Sequence, residues 1–242
     1  ADKAYDGITS LDWRPDGTQF VSATDQGSIH WWHADGSPLR SANHEGAVHQ
    51  LKWSPDGQRL AATSRDEIAL WKSDGSHDQS IPGPLGYVTT FAWSAGSERL
   101  ANAHRGKVFV TDLAGESEEV IAGYPVSETM HRPVLWSADG SRLTSASRES
   151  TIRIWNVDAK PGRSWTSPGK KVWMLDWNRQ TEELATCSFG DQNTRLWSPQ
   201  GVFRQALQRV SGTPFWSPDG RSLVISGGDI LLLTAAGELS VI

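Results

Sequence analysis

The side chains best suited to catalysis or metal binding are sparse in this sequence and fall into no recognised motif. The histidines include no His-x-x-x-His pair, a spacing that turns two imidazoles toward one metal ion: they are His30, His33, His44, His49, His77, His104 and His131. The single cysteine, Cys187, leaves no intrachain disulfide and no thiolate cluster. It falls where a predicted strand takes a small, buried residue. The sequence therefore predicts no catalytic residue, no metal site and no cofactor.

Arginine is the residue type that suggests binding instead. A guanidinium group holds a carboxylate or a phosphate through a planar fork of donors. Four arginines fall near the same predicted end of successive sheets: Arg65, Arg105, Arg132 and Arg148. We predict that they belong to a partner-binding surface for an acidic or phosphorylated peptide. Ordinary solvated surface charge is the alternative.

Two further residues join this predicted surface by their position. His49 and Trp173 occupy equivalent places in two predicted first strands. Tryptophan is favoured at interface hot spots because it buries a large area with few rotatable bonds. The alternative for Trp173 is a wedge between neighbouring sheets.

The framework that must position these residues is a repeat of about forty residues. A tryptophan stands just ahead of a predicted turn six times, at intervals of 39 to 43 residues: Trp13, Trp53, Trp93, Trp136, Trp177 and Trp216. A period of this length is typical of an array of small stacked β-sheets.

The second copy shows the pattern most completely. Alternating residues over 48–53 predict a first strand, and Ser54-Pro55-Asp56-Gly57 predicts a turn. Second and third strands follow over 60–64 and 68–71, and a looser polar fourth strand runs toward residue 82. One copy is therefore a four-stranded antiparallel meander.

These residues resemble the repeats of the WD-repeat family. Blades of that family carry a histidine, a Trp/Phe-Ser-Pro-Asp-Gly turn, a corner aspartate and an Ile-x-Leu-Trp strand. The Ser-Pro-Asp-Gly turn is also similar to that of TolB-like propellers. The resemblance covers essentially the whole chain and implies an all-β fold, a six-bladed β-propeller of four-stranded antiparallel blades.

The resemblance also implies a structural network within a blade. In the family it joins a histidine, a hydroxyl of the second strand, the corner aspartate and the tryptophan of the third strand. Only the second copy has all four, as His44, Ser64, Asp66 and Trp71. We expect this network to rigidify the blade.

We predict a single domain over residues 1–242. The blades should span approximately 1–43, 44–83, 84–126, 127–168, 169–208 and 209–242. We expect the first and last blades to pack together without strand exchange. The alternative is a seventh blade supplied by sequence outside this segment or by another chain, because an uncovered blade face would expose apolar surface.

The predicted function is that of a non-catalytic protein-interaction propeller, a cytoplasmic scaffold or recognition module that binds a peptide or protein on its loop face. The mild net charge of −5 gives no general case for nucleic acid, and no apolar run is long enough to span a bilayer. Two alternatives stay open: a TolB-like envelope-assembly propeller, which would be periplasmic, and a propeller enzyme with an active site in its channel. The sequence starts without methionine, which indicates either a processed product or one domain of a longer protein. We favour the second, and by analogy the longer protein would be a signalling or sensor protein with linked domains outside this segment.

Overall fold

The computed structural model describes residues 7–65, 67–82, 91–104, 107–114, 117–123, 134–146, 151–157, 164–168, 172–188 and 192–242. The elements in these ranges are β-strands throughout. No helix long and apolar enough to cross a membrane occurs in that part of the chain. The chain divides into two compact units, Ala1–His104 and Arg105–Ile242.

Ten strands lie in the first unit. Sheet one consists of β1 (Ile8–Trp13), β2 (Gln19–Thr24), β3 (Ser28–His33) and β4 (Pro38–Asn43). Sheet two consists of β5 (Gln50–Trp53), β6 (Arg59–Thr63), β7 (Glu67–Lys72) and β8 (His77–Pro82). The unit also contains β9 (Phe91–Trp93) and β10 (Arg99–His104).

The second unit contains the other fourteen strands. These are β11 (Lys107–Asp112), β12 (Ser117–Gly123), β13 (Val134–Trp136), β14 (Arg142–Ala146), β15 (Thr151–Asn156), β16 (Ser164–Thr166), β17 (Val172–Trp177), β18 (Leu184–Ser188), β19 (Thr194–Trp197), β20 (Phe203–Leu207), β21 (Thr213–Trp216), β22 (Ser222–Ser226), β23 (Ile230–Thr234) and β24 (Leu239–Val241). Strands β9–β12 form sheet three, β13–β16 sheet four, β17–β20 sheet five and β21–β24 sheet six. The described strands thus make six four-stranded sheets, each in sequence order.

The turn between the first two strands of a sheet is held by an aspartate. In sheet two the Ser54 hydroxyl donates to Asp56 Oδ1 over 2.5 Å, and the Gln58 amide donates to the same oxygen over 3.0 Å. Gly57 follows with φ of 68°, a left-handed conformation that favours glycine. Equivalent hydrogen bonds lower the pKa of Asp139 to about 2.

Sheet five makes the same turn with different chemistry. The repeat predicts a turn after Trp177, but the sequence there has no Ser-Pro-Asp-Gly motif. Asn178 Oδ1 accepts hydrogen bonds from the amides of Gln180, at 2.9 Å, and Thr181, at 3.1 Å. Glu182 takes the left-handed conformation with φ of 56°. An asparagine side chain can cap a turn in this way because its oxygen accepts from the backbone two residues on.

The core lies between consecutive sheets. In the first unit, Val21, Ile29 and Trp31 of sheet one pack in one cluster with Leu51 and Trp53 of sheet two. Sheets four and five share a second cluster, and sheets five and six a third. Each fully buried large side chain contributes roughly 1.5–3 kcal/mol relative to exposure. Packing of sheet on sheet is therefore the main source of stability in each unit.

A polar bond is built into several of these apolar layers. The indole N–H of the third-strand tryptophan donates to a hydroxyl on the second strand: Trp32 to Ser22 over 3.0 Å, Trp155 to Ser145 over 3.1 Å and Trp197 to Thr186 over 2.9 Å. Sheet two has Ala62 at the equivalent place. The indole Nε1 of Trp71 is buried there and finds no hydrogen-bond partner among the described residues.

Removing one such hydroxyl should destabilise its sheet. We expect Thr186→Val to lower the free energy of unfolding by about 1–3 kcal/mol. The substitution keeps the side-chain volume but leaves the buried N–H of Trp197 without an acceptor. Ala62→Ser would supply Trp71 with an acceptor and should be neutral or stabilising.

Denaturant titration of the variants measures both effects. Ala61→Ser is the control, since Ala61 is equally buried but faces the other side of β6. A buried hydroxyl without a partner costs free energy. Equal losses in Ala62→Ser and Ala61→Ser would contradict the assignment.

Candidate functional site

The corner end of sheet two is the place where two of the predicted binding residues meet. We define it by His49, Ser64, Arg65 and Glu67. The His49 amide donates to the carbonyl of Thr63 over 2.8 Å, just before β5 begins, and Arg65 follows the end of β6. The Ser64 amide donates to the Glu67 carbonyl over 3.0 Å and closes the corner. Exposed side chains of His49 and Arg65 are therefore carried by backbone that hydrogen bonds hold in place.

Beneath this surface lie the described members of the predicted network. His44, Ser64 and Trp71 are all buried, whereas Asp66 lies outside the described residues. His44 Nδ1 is 3.7 Å from Glu67 Oε1, and His44 Nε2 has no hydrogen-bond partner in the described part of the chain. No hydrogen bond there joins Ser64 to His44 or Trp71. In sheets one, four and five the indole N–H of the third-strand tryptophan is hydrogen-bonded to a hydroxyl. That hydroxyl lies two residues before the position equivalent to Ser64.

Burial keeps the buried imidazole neutral. It lowers the pKa of His44 below its ordinary value, against the opposing effect of the nearby Glu67 carboxylate. At neutral pH the ring therefore offers no positive charge to a partner. It acts as a packed group under the corner end and not as a binding cation.

Gly27 allows the segment before β5 to pack closely on the corner of sheet one. Gly27, at the corner between β2 and β3, has φ of 87° and its carbonyl accepts the His44 amide over 2.9 Å. A Cβ atom on Gly27 would come 2.3 Å from the His44 carbonyl oxygen. The segment that enters β5 thus lies directly on the corner of sheet one, and any side chain at position 27 would displace it.

The charge on this side of the first unit is mixed. Asp25 is exposed beside the corner of sheet one, and Glu45 is exposed in the segment between β4 and β5. Arg65 is the exposed arginine of the corner end. The exposed described residues here thus carry charges of both signs and do not make a uniformly basic patch.

The remaining predicted binding residues stay predictions. Arg105, Arg132 and Arg148 lie outside the described residues, and of Trp173 only the place in β17 is described. Cys187 is buried, and its Sγ accepts a hydrogen bond from the Gly212 amide at 3.3 Å. The described ranges hold no group of three or more histidine, cysteine, aspartate or glutamate side chains that could bind a metal ion.

Two cavities were not anticipated from the sequence. One, of about 420 Å³, lies at the opposite end of sheet two and is lined by Asp56, Gln58, Arg59, Lys72, Ser73, Asp74 and Asp78. Asp78 there pairs with Arg59 at 3.1 Å and with Lys72 at 3.8 Å, so these charges already have partners.

The second cavity, of about 280 Å³, lies in the second unit beside the turn of sheet six. It is lined by Asp176, Trp177, Arg179, Trp216, Ser217 and Pro218. Asp176 Oδ2 accepts the Trp216 amide at 2.7 Å, so this carboxylate serves the packing of β21 against β17. The sequence feature that could have indicated this hydrogen bond is an aspartate directly before the tryptophan that ends a first strand.

Comparison with solved structures identifies the fold. The chain matches a chain from a structure titled "Crystal Structure of Mitotic Checkpoint Complex" with a TM-score of 0.81 and 19% identity, over 98% of this chain and 77% of that chain. Together with the six four-stranded sheets, this likeness makes the fold a β-propeller with six blades of antiparallel strands. The predicted fold class is confirmed.

Sequence comparison finds WD repeats in this chain. The model for the WD domain, G-beta repeat, matches residues 3–33, 36–71 and 131–156. One similar protein is a WD repeat-containing protein WDS homolog of Arabidopsis thaliana, 24% identical over 79% of this chain and 38% of its own length. Two others are the SIR4-interacting protein SIF2 of Saccharomyces cerevisiae, 23% identical over 93% of this chain and 45% of its own length, and the anaphase-promoting complex subunit cdc20 of Dictyostelium discoideum, 27% identical over 91% and 46%. The chain spans less than half the length of these relatives. The predicted resemblance to WD-repeat proteins is confirmed.

The neutral, buried state of His44 has a consequence for stability. Its pKa in the folded chain is lowered from 6.5, so the unfolded chain binds the proton more readily. The free energy of unfolding should therefore fall as the pH drops below about 6.5, and this group should contribute no pH dependence well above that value.

His44→Gln should weaken this dependence between neutral and mildly acidic pH. His49→Gln removes an exposed histidine from the same end of sheet two and is the matched control. Denaturant titrations across this pH range test the pair. Parallel pH profiles for wild type and His44→Gln would contradict the assignment.

Proposed function

We propose that this chain is a protein-interaction module that binds a peptide or protein segment at the corner end of sheet two. The observation that carries the proposal is the arrangement there: exposed His49 and Arg65 side chains on hydrogen-bonded backbone. The apolar faces of the neighbouring sheets are used in packing, which leaves the sheet ends for recognition. Function in such a fold resides in sites carried on it.

The names of similar proteins support the same class of function. One relative is described as interacting with SIR4, another as a subunit of the anaphase-promoting complex, and the similar structure is that of a complex. None of these names refers to a reaction or to an envelope assembly. We therefore favour a non-catalytic scaffold or recognition role in the cytoplasm over the TolB-like and channel-enzyme alternatives.

We further propose that the partner segment carries a carboxylate or phosphate. The guanidinium of Arg65 can bind either through two parallel hydrogen bonds. The exposed carboxylates of Asp25 and Glu45 would repel the same group and so direct it toward Arg65. Like charges across an interface are a source of specificity. Arg105, Arg132, Arg148 and Trp173 remain predicted binding residues on sequence grounds.

Peptide binding tests this function. An array of peptides in unphosphorylated, phosphorylated and glutamate-substituted forms, probed with the wild-type chain, should identify acidic or phosphorylated binders. Arg65→Ala should weaken such a binder about tenfold, because each 1.4 kcal/mol of lost interaction is a factor of ten and a hydrogen bond to a charged group contributes about that much.

Two matched variants make the result specific. Arg65→Lys keeps the charge but loses the planar fork, so its affinity should fall between those of wild type and Arg65→Ala. Lys72→Ala removes an exposed cation at the opposite end of sheet two and should bind as the wild type does. Binders whose affinity ignores Arg65, or a complete absence of binders, would contradict the proposal.

A further inference from the structure

The cavity of about 280 Å³ in the second unit lies where β21 of sheet six packs against β17 of sheet five. Two tryptophans, Trp177 and Trp216, border it together with Asp176, and the exposed Arg179 stands beside them. The indole Nε1 atoms of both tryptophans are buried. The rings therefore present carbon atoms to the cavity and no hydrogen-bond donor, next to one carboxylate. We call this cavity the indole pocket.

The contact between sheets one and two has the same design and shows what can complete it. Asp12 Oδ2 accepts the Trp53 amide over 2.8 Å, as Asp176 Oδ2 accepts the Trp216 amide over 2.7 Å. In the first unit a guanidinium group lies over the tryptophan, with the Arg14 carbon 5.8 Å from the centre of the Trp53 ring. Trp53 is 4% exposed. A cation is thus part of the finished contact there.

Sheet five has a shorter side chain at the place of Arg14. That residue is Asn178, whose Nδ2 donates to the Gly220 carbonyl over 2.9 Å. Arg14 Nε donates to the equivalent carbonyl, that of Gly57, over 3.0 Å. Both side chains hold the next turn in the same way, but only the arginine carries a cation onward to the next tryptophan. Within the described residues no cation lies over the ring of Trp216, which is partly exposed.

A second contact places a guanidinium over its tryptophan from a different position. Arg142, at the start of β14 in sheet four, lies 5.8 Å from the centre of the Trp177 ring. The equivalent residue of sheet five is Glu183, which like Arg142 directly precedes the leucine that pairs with the first-strand tryptophan. Glu183 Oε1 lies 3.0 Å from Arg204. The two places that supply a guanidinium in other sheets therefore hold an amide and a carboxylate in sheet five.

A guanidinium group is the ligand that these surroundings favour. Its planar cation is attracted to the face of an indole ring. Its N–H groups can also donate to Asp176, because a carboxylate has more acceptor sites than the single Trp216 amide uses. A cavity of this size is small for a ligand site and suits a single side chain. An anion would meet the carboxylate and the negative faces of the rings.

We propose that the indole pocket binds an arginine side chain of a partner protein. The guanidinium packs on the Trp216 ring and donates to Asp176, as Arg14 packs on Trp53 within the chain. The partner thus supplies from outside the cation that sheet five lacks. The pocket shares no residue with the corner end of sheet two, so the proposal is independent of the function proposed there.

A peptide titration followed by nuclear magnetic resonance tests the proposal. The probe is an acetylated and amidated Gly-Arg-Gly peptide, added to the whole chain labelled with ¹⁵N. The indole resonance of Trp216, assigned as the one lost in Trp216→Phe, should shift and saturate at millimolar peptide. The same peptide with citrulline, which has the shape of arginine without its charge, should cause little shift. A Gly-Glu-Gly peptide should cause none.

Matched carboxylate variants locate the binding. Asp176→Asn keeps an oxygen for the Trp216 amide but removes the charge, so it should weaken binding of the arginine peptide about fivefold to tenfold. Asp12→Asn makes the same change at the contact that Arg14 already completes, and it should bind as the wild type does. If Asp176→Asn does not fold, the comparison of arginine with citrulline still decides the result.

Arg179→Gln tests the one competing occupant on the chain itself. We expect this variant to bind the arginine peptide at least as tightly as the wild type, because it removes a like charge beside the pocket. Binding by Arg179→Gln alone would show that Arg179 fills the pocket, and that result would overturn the proposal.

Three further results would contradict it: no shift of Trp216, equal shifts with arginine and citrulline, or equal affinity in folded Asp176→Asn. Arg65→Ala should leave this titration unchanged. A failure at the indole pocket is therefore distinguishable from a failure at the corner end of sheet two.

Discussion

Contact between the two apolar faces of consecutive sheets is the interaction on which the rest of this protein depends. A lone four-stranded sheet with two apolar faces is not stable in water, so each blade needs a neighbour, as in other repeat proteins. The first-strand tryptophans Trp53 and Trp177 occupy this contact, and their rings lie beneath arginines of the preceding sheet. Because the faces are used in this way, recognition is left to the sheet ends.

The polar groups inside these layers need hydrogen-bond partners. Burial raises the pKa of the Asp12 carboxyl, yet this group accepts a hydrogen bond from the Trp53 amide. A carboxylate is tolerated there because the amide at the edge of the next sheet would otherwise have no acceptor. By contrast, burial lowers the pKa of His44, so its imidazole is neutral beneath the exposed His49 and Arg65.

The repeat, the antiparallel order of strands and the fold class could all be predicted, because each depends on spacing within about forty residues. Details of individual side-chain contacts could not. Ser64 matched the family pattern by position, but Ala62 stands where other sheets carry the hydroxyl that bonds the indole. The repeat predicts the turn after Trp177, but not the Asn178 side chain that caps it, because an asparagine replaces the serine and aspartate of the other copies.

The aspartate turns also bear on how the molecule ages. An Asp-Gly bond rearranges when the glycine nitrogen attacks the side-chain carbonyl of the aspartate and closes a succinimide ring. This sequence has seven such bonds, one at Asp6-Gly7 and six in turns that the structure describes: Asp16-Gly17, Asp35-Gly36, Asp56-Gly57, Asp74-Gly75, Asp139-Gly140 and Asp219-Gly220. In the folded chain the nitrogen of Gly57 is engaged with the Ser54 carbonyl at 2.8 Å, and the Asp56 carboxylate is held ionised by hydrogen bonds that lower its pKa. Both features oppose ring closure. The intact fold therefore protects its own covalent backbone, and chemical damage at these bonds should accumulate chiefly in molecules that have already opened.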